Sequence, residues 1–453
     1  MTAQQWLNTE DEAESRKAYD RWMLPDPDMR EFGPLQTEFD PFTGMEATFR
    51  ETHVAMIRGG ERGWTTKVYL AFNGERCLPH VRTEKAKDLQ GWYQAKNTSP
   101  EPLPITSRER PCFTDAILTE PYGGYCTVGC AFCYINSGKK GYRGTGLITV
   151  PMNYGDQIRK QLAGMRTSAA GYFSSFTDPF LPLENIYHNT ENAAKEFDRQ
   201  GLPVFFLSRL RYPGWAYDLL SRNKYSYMQK SINTWDEDDW KRLSPRAASL
   251  AEHMDDIREA RRRGIYVSIQ VNPIVAGIVS HDDVEKTFEM LAEAGANHVI
   301  VKFVEANYPD AKTMVALMKK RFGDNRGAHF EQLFTENFGG NKTIDFAYRI
   351  EGHTRYQAKA TKLGMTYATC YEYDPVARRS IGRDWATSDQ CHGHRVPMFT
   401  RLTADTPFHE VEACPPSGCL HCADENAGKP RCGSDIFGAA MANRKAQYKE
   451  PIR

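Results

Sequence analysis

The chain has 453 residues, 40% hydrophobic and 12% aromatic, enough for one large domain with appendages or for two to three domains. Its 58 Lys and Arg balance its 58 Asp and Glu, which excludes a globally basic nucleic-acid-binding chain and leaves only local patches for such a role. No apolar stretch reaches the ~18 residues of a membrane span and the start has no secretory pattern, so a cytoplasmic protein without membrane partners is expected, whose eleven cysteines read as metal or redox ligands rather than disulfides.

In chain order, residues 1–110 form an N-terminal extension. It opens polar and acidic, carries a strand-like run at 66–72 before the turn Asn73–Gly74, and closes in a Pro- and charge-rich linker at 99–111. From 111 to 370 short apolar runs alternate with longer amphipathic ones. Strands are expected at 116–119, 171–175, 203–207, 225–232, 265–271 and 298–303. Helical periodicity occupies 156–165, 190–200, 247–263 and 284–294, and Gly264 and Gly295 stand where the last two would stop. Strands alternating with helices imply parallel βαβ units. The fold class is α/β, a partial (β/α)6 TIM-like barrel with an N-terminal extension and a Cys-rich C-terminal appendix at 371–453. In such folds chemistry gathers at the C-terminal strand ends, so the loop after the first strand is the place to look.

That loop holds Cys126, Cys130 and Cys133, spaced C-x3-C-x2-C, with Tyr134 directly after the third. Three thiolates on one short loop can hold three irons of a [4Fe–4S] cube and leave the fourth iron open. A structural zinc normally takes a fourth ligand, and no His or Cys lies in the next thirty residues. A second set, Cys414, Cys419, Cys422 and Cys432, supplies four soft ligands in the appendix. It suits a second metal site, either a structural zinc or an auxiliary iron–sulfur cluster, with free thiols as the remaining option. Cys391, His392 and His394 add three more candidate ligands.

The cysteine spacing resembles the signature of the radical S-adenosylmethionine (SAM) superfamily, in which SAM takes the open iron. Segments 174–184, 230–236, 243–247 and 271–277 are similar to strand-end segments of spore photoproduct lyase and its relatives, so the resemblance covers residues 112 to 305. It implies SAM contacts at Thr177, Arg209 and Ser231, with Tyr134 beside the cluster and Ser175 and Asn233 in the same strand-end segments. Hydroxyls suit the ribose diol and amine of SAM, and Arg209 suits its carboxylate. The family pattern has Lys at the position of Arg209. It also has a hydrogen-donating cysteine where Ser175 stands. A serine O–H is too strong a bond for that role. Either Cys370 replaces it, or the product radical recovers its hydrogen from 5′-deoxyadenosine, as in an isomerase.

Relatives of this lyase also occur in pathways that hypermodify thymine in viral DNA. The expectation is therefore a radical SAM enzyme acting on a modified thymine in DNA, with rearrangement ahead of lesion cleavage. A peptide-modifying enzyme with an auxiliary cluster and a non-enzymatic metal protein that binds nucleic acid are the competing readings. An electron donor such as flavodoxin or ferredoxin is implied, and the host cytoplasm as the location if the chain is viral. Lys139, Lys140 and Arg143 follow the cluster loop, Arg209 and Arg211 stand beside Tyr212 and Trp215, and Arg378, Arg379 and Arg383 lie further on. Basic residues among aromatics suit backbone contact and base stacking, and a target base would have to be flipped out of the duplex.

Overall fold

In a computed structural model the described residues are four strand backbones before residue 85, strand 147–151, and most of 116–410. Positions 125, 127, 134–146, 152–153, 164–166, 169, 175, 339, 371, 378, 389–390, 398, 402–404 and everything from 411 onward lie outside that set. The early strands form an antiparallel meander, Gln36–Asp40, Met45–Val54 and Trp64–Leu70, and His80–Glu84 runs parallel to Leu147–Pro151.

Seven strands make one parallel sheet in simple chain order: β1 (Ala116–Thr119), β2 (Ala170–Phe173), β3 (Val204–Ser208), β4 (Tyr227–Ser231), β5 (Tyr266–Ile274), β6 (His298–Phe303) and β7 (Thr366–Thr369). Neighbouring strands are joined through helices α1 (Tyr154–Ala163), α2 (Asn189–Arg199), α3 (Gly214–Arg222), α4 (Leu250–Arg262), α5 (His281–Ala294) and α6 (Phe346–Lys362). This is the partial TIM-like barrel, with one strand more than the expected six. Strand β7 has four residues and follows an excursion of more than sixty. That excursion holds a helical stretch broken at Gly323 and a small antiparallel sheet of Glu305–Asn307, Asn341–Thr343 and Glu336–Phe338. No helix–strand rhythm announces it.

The helix ends explain the other shifts of boundary. Ser249 and Glu252 form a capping box, so α4 starts three residues later than the periodicity suggests. Ser280 and Asp283 do the same for α5, which starts three residues earlier. Gly264 and Gly295 follow the helices with φ of 74° and 101°, the left-handed conformation that glycine takes without strain.

Strand alternation divides the side chains. Val204, Phe206, Val267, Ile269, Val271, Val299 and Val301 face the helices and share one core with Phe197, Leu220, Ile257, Phe288 and Tyr356. The alternate positions face the concave side. There Tyr172 stacks on Phe205 and Phe205 on Tyr227, at centroid distances of 4.6 Å and 4.5 Å. Register sets Tyr266 beside Tyr227 and completes the row.

A segment expected with the appendix fills this end of the barrel. His392 Nδ1 is 2.6 Å from Tyr227 Oη, His394 stacks on Tyr266 at 4.5 Å, and His298 Nε2 donates to the Cys391 carbonyl at 2.7 Å. Further on, Phe399–Thr400 pairs with Thr167–Ser168, and buried Arg401 donates to Gln200 Oε1 at 2.7 Å. Cys391, His392 and His394 are therefore packing groups, not the metal ligands their spacing suggested. Among the described residues no three His, Cys, Asp or Glu side chains converge on a single ion.

Gly393 is the tightest point of this plug. Its φ is 74°, and a Cβ there would stand 2.3 Å from the His298 ring. Gly393→Ala is expected to cost about 2–3 kcal/mol of stability through overpacking and strain, read as a fall of several degrees in melting temperature. His298 is expected to make stability pH-dependent. Burial holds its pKa down at about 3, below the ~6.5 of an unfolded histidine. The unfolded chain therefore takes up the proton first, and stability is whole above pH ~6.5 and erodes as pH falls toward 3, by up to about 1.4 kcal/mol per pH unit. His298→Gln should flatten that slope in unfolding measured across the same range.

Candidate active site

The cysteine loop leaves β1 and is held from the side by the segment after β4. Ala131 N donates to Leu243 O at 2.8 Å, and Ser244 Oγ donates to Cys130 Sγ at 3.4 Å. Gly129 turns the loop with φ of 67°, where a Cβ would meet the Arg246 guanidinium at 2.4 Å. Val128 anchors it in a small cluster with Tyr122, Leu181 and Leu183. Cys126, Cys130 and Cys133 form no disulfide and stand, partly buried, on the wall of one cavity of about 560 Å³. A drug-sized ligand needs a cleft of about this size.

The thiols share an electrostatic field. Burial pushes the Cys126 thiol up, and the Asp178 carboxylate, Cys130 and Cys133 add to the rise. Arg209 is the counterweight. Burial draws its pKa down, while Cys130, Cys133, Asp178 and Cys126 pull it back up. Its guanidinium lies 4.9 Å from the Phe132 ring centroid and 5.3 Å from that of Trp240, and donates to Asn272 O at 2.9 Å and Ser244 Oγ at 3.3 Å. Three thiols on one loop beside a fixed cation suit metal ligands, whose protons leave as the metal binds. The donor set thus fits a [4Fe–4S] cube on Cys126, Cys130 and Cys133.

Around the thiols the strand ends supply polar groups. Thr177 Oγ1 donates to Tyr122 O at 3.0 Å, and Ser231 Oγ donates to Asn272 O at 3.2 Å; both line the cavity. Asn233 is fully buried behind them. Its Nδ2 donates to Pro273 O at 3.0 Å, and its Oδ1 has no partner among the described groups. Cys370, directly after β7, lines the same cavity from the far edge of the sheet. Tyr134 and Ser175 lie outside the described residues, as do Cys414, Cys419, Cys422, Cys432, Lys139, Lys140 and Arg143. Ser174, beside Ser175, has φ of 65° and a buried hydroxyl without a partner among the described groups.

Asp178 was not singled out in the sequence, although it stands inside the Thr177-Asp178-Pro179 run. Its carboxylate accepts from Arg209 N at 2.7 Å, Ser208 Oγ at 2.8 Å and Phe180 N at 3.0 Å, and so ties the end of β2 to the end of β3. Burial raises its pKa against these hydrogen bonds. A second tie is the buried pair Lys230–Asp256. Asp256 also accepts from Tyr212 N at 3.1 Å and pairs with Arg211 at 2.8 Å. Arg211 is thereby committed to a carboxylate, Tyr212 is core, and Arg209 faces the thiols. Arg209 and Tyr212 of this cluster of base and aromatic are thus part of the scaffold, while Arg211 keeps half of its side-chain surface exposed.

A cavity at the C-terminal ends of a parallel part-barrel, walled by three thiols of one loop, is the working site of a radical SAM enzyme, and the chain belongs to that family. Over 99% of its length it is 59% identical to the protein named "Radical SAM Nalpha-GlyT isomerase" of Pseudomonas phage M6, of which it covers 95%. No family model matches. Among solved structures, spore photoproduct lyase with bound AdoMet and dinucleoside spore photoproduct aligns at 16% identity and a TM-score of 0.42, over 56% of this chain and 75% of that one. SuiB of Streptococcus suis bound to S-adenosylmethionine aligns at 13% identity and a TM-score of 0.38, over 58% and 53%. The family uses a [4Fe–4S] cluster and SAM. Among the described residues no helix is long and apolar enough to cross a membrane.

Arg209 is expected to tune the cluster. Removing the cation from beside the thiolates destabilises the more negative, reduced cube. Arg209→Gln should shift the midpoint potential negative by on the order of 50 mV, read by potentiometric titration of the reduced-cluster EPR signal.

Proposed function

We propose that this enzyme rearranges an amino-acid adduct on the methyl carbon of thymine in DNA, taking a glycine joined through its nitrogen and leaving it joined through its α-carbon. The observation that carries this reading is the 59% identity, over nearly the whole chain, to a protein whose name pairs an isomerase with Nalpha-GlyT. The rearrangement is balanced without a co-substrate. The bond from the thymine methylene to nitrogen breaks, a bond from that methylene to the glycine α-carbon forms, and one hydrogen passes from the α-carbon to nitrogen.

The bound cluster and SAM supply a 5′-deoxyadenosyl radical after one-electron reduction, from a donor of the flavodoxin or ferredoxin kind. The residues do the rest. Cys126, Cys130 and Cys133 hold the cube. Thr177, Arg209 and Ser231, at the ends of β2, β3 and β4, would hold SAM, and Asp178 keeps the first two of those ends in register. The walls of the cavity exclude water from the reacting carbon. A base held in a stacked duplex cannot enter such a cavity, so the modified thymine is flipped into it.

With SAM bound, 5′-deoxyadenosine would return the hydrogen to the product, and no protein thiol would be consumed. The test uses anaerobically reconstituted enzyme, reductant, SAM and DNA whose thymine adduct carries deuterium on the glycine α-carbon. Stimulated turnover with deuterium appearing in SAM is expected, and Cys130→Ala should abolish it. Cys370→Ala should keep turnover within about threefold. Loss of product in that variant would move hydrogen donation to Cys370 and the reaction toward the lyase type. SAM cleavage indifferent to the DNA would overturn the thymine substrate.

A further inference from the structure

Four described charged side chains line the cavity: Asp178, Arg209, Lys302 and Glu305. The first two are more than nine-tenths buried and are tied to the strand ends beside the thiols. The other two stand at the opposite edge of the sheet. Lys302 is the inward residue at the end of β6, one position beyond Val301, which pairs with Thr369 of β7; Lys302 is thus the neighbour of Cys370. Glu305 opens the first strand of the small sheet, whose Asn307 and Asn341 roof the same cavity. Lys302 Nζ and Glu305 Oε2 are 3.0 Å apart, and each side chain keeps 23% of its surface exposed.

Both side chains reach the cavity wall, so a ligand entering the cavity meets the pair directly. A cation and an anion side by side on the wall of a cavity are complementary to a group that carries a carboxylate and an amine a few bonds apart. The pair can open and re-form on such a ligand with the number of charge contacts doubled, and no charge is left alone.

We infer that Lys302 and Glu305 are the specificity pair that receives the amino-acid part of the substrate, its carboxylate on the Lys302 ammonium and its amine on the Glu305 carboxylate. The inference rests on the thymine-adduct reading above and goes beyond it by assigning the recognition. It also accounts for the side of the cavity on which the pair stands. The carboxylate is the part of the adduct whose own bonds are unchanged by the rearrangement. Held at the β6 edge, it fixes the α-carbon toward the thiol side, while the nitrogen stays on Glu305 as its bond to the thymine methylene is lost.

The experiment compares two oligonucleotides, one carrying glycine on the thymine methyl carbon and one carrying methylamine there, which keeps the amine and lacks the carboxylate. Dissociation constants by fluorescence anisotropy with reconstituted enzyme, and KM and kcat for the glycine adduct, are the readouts. Wild type is expected to prefer the glycine adduct by about tenfold or more. Lys302→Gln should abolish that preference and raise KM more than it lowers kcat, and Lys302→Arg should restore most of it. Glu305→Gln should weaken both oligonucleotides alike, since both carry the amine. A Lys302→Gln loss equal for the two would place Lys302 on a phosphate and overturn the assignment, as would unchanged discrimination. Wild type that neither binds nor turns over the glycine adduct would instead remove the substrate reading, and this inference with it.

Discussion

Seven parallel strands in chain order impose one rule on the whole molecule: every second side chain turns to the concave face. The helices cover the other face with aliphatic core, but the concave face has two ends with opposite needs. At the N-terminal end it is filled by the row Tyr172, Phe205, Tyr227 and Tyr266 and by the His392–His394 turn that packs against it. At the C-terminal end the same inward positions become Ser231, Gln270, Asn272, Lys302 and Cys370, and the space is left open. The alternation that closes one end with rings builds the cavity at the other with polar groups.

The cavity is asymmetric in charge. On the β1–β3 side the Arg209 guanidinium, locked by Asn272 and Ser244, answers three thiols. On the β6 side a cation and an anion answer each other. Buried charge is stable only when paired, and each side meets that condition differently. One is fixed through backbone and hydrogen bonds. The other is exchangeable and partly wet. An enzyme that must hold a permanent cofactor and a transient substrate in one space needs both kinds of pairing.

Much of this was legible from residue types. The strands at 298–303 and 116–119 match their apolar runs to the residue, because a parallel strand covered on its helix side needs little help from context. The cysteine spacing marked the site because its chemistry is local, three ligands on one loop. What stayed hidden was made of long-range contacts. Strand β7 is four ordinary residues, and only its pairing with β6 identifies it. Cys391, His392 and His394 have the composition of a metal site and the role of a floor, which Tyr227, Tyr266 and His298 decide from more than ninety residues away in sequence. Asp178 was within a quoted motif, yet its importance lies in the Arg209 amide and Ser208 hydroxyl at the end of β3, which no local pattern reveals. Lys302 and Glu305 carry no motif, and only the fold sets them across from the thiols.

The floor has a consequence for how the chain is made. The turn that closes the N-terminal end of the barrel comes after the seventh strand, and Arg401, which anchors the following segment, reaches back 201 positions to Gln200. Synthesis therefore delivers all seven strands before their underside can be sealed. A nascent chain paused near residue 385 presents a row of aromatic rings to solvent or to a chaperone, and a chain cut there would lack the part that hides them. The last stretch of this barrel to leave the ribosome is what covers the aromatic row of an otherwise open sheet.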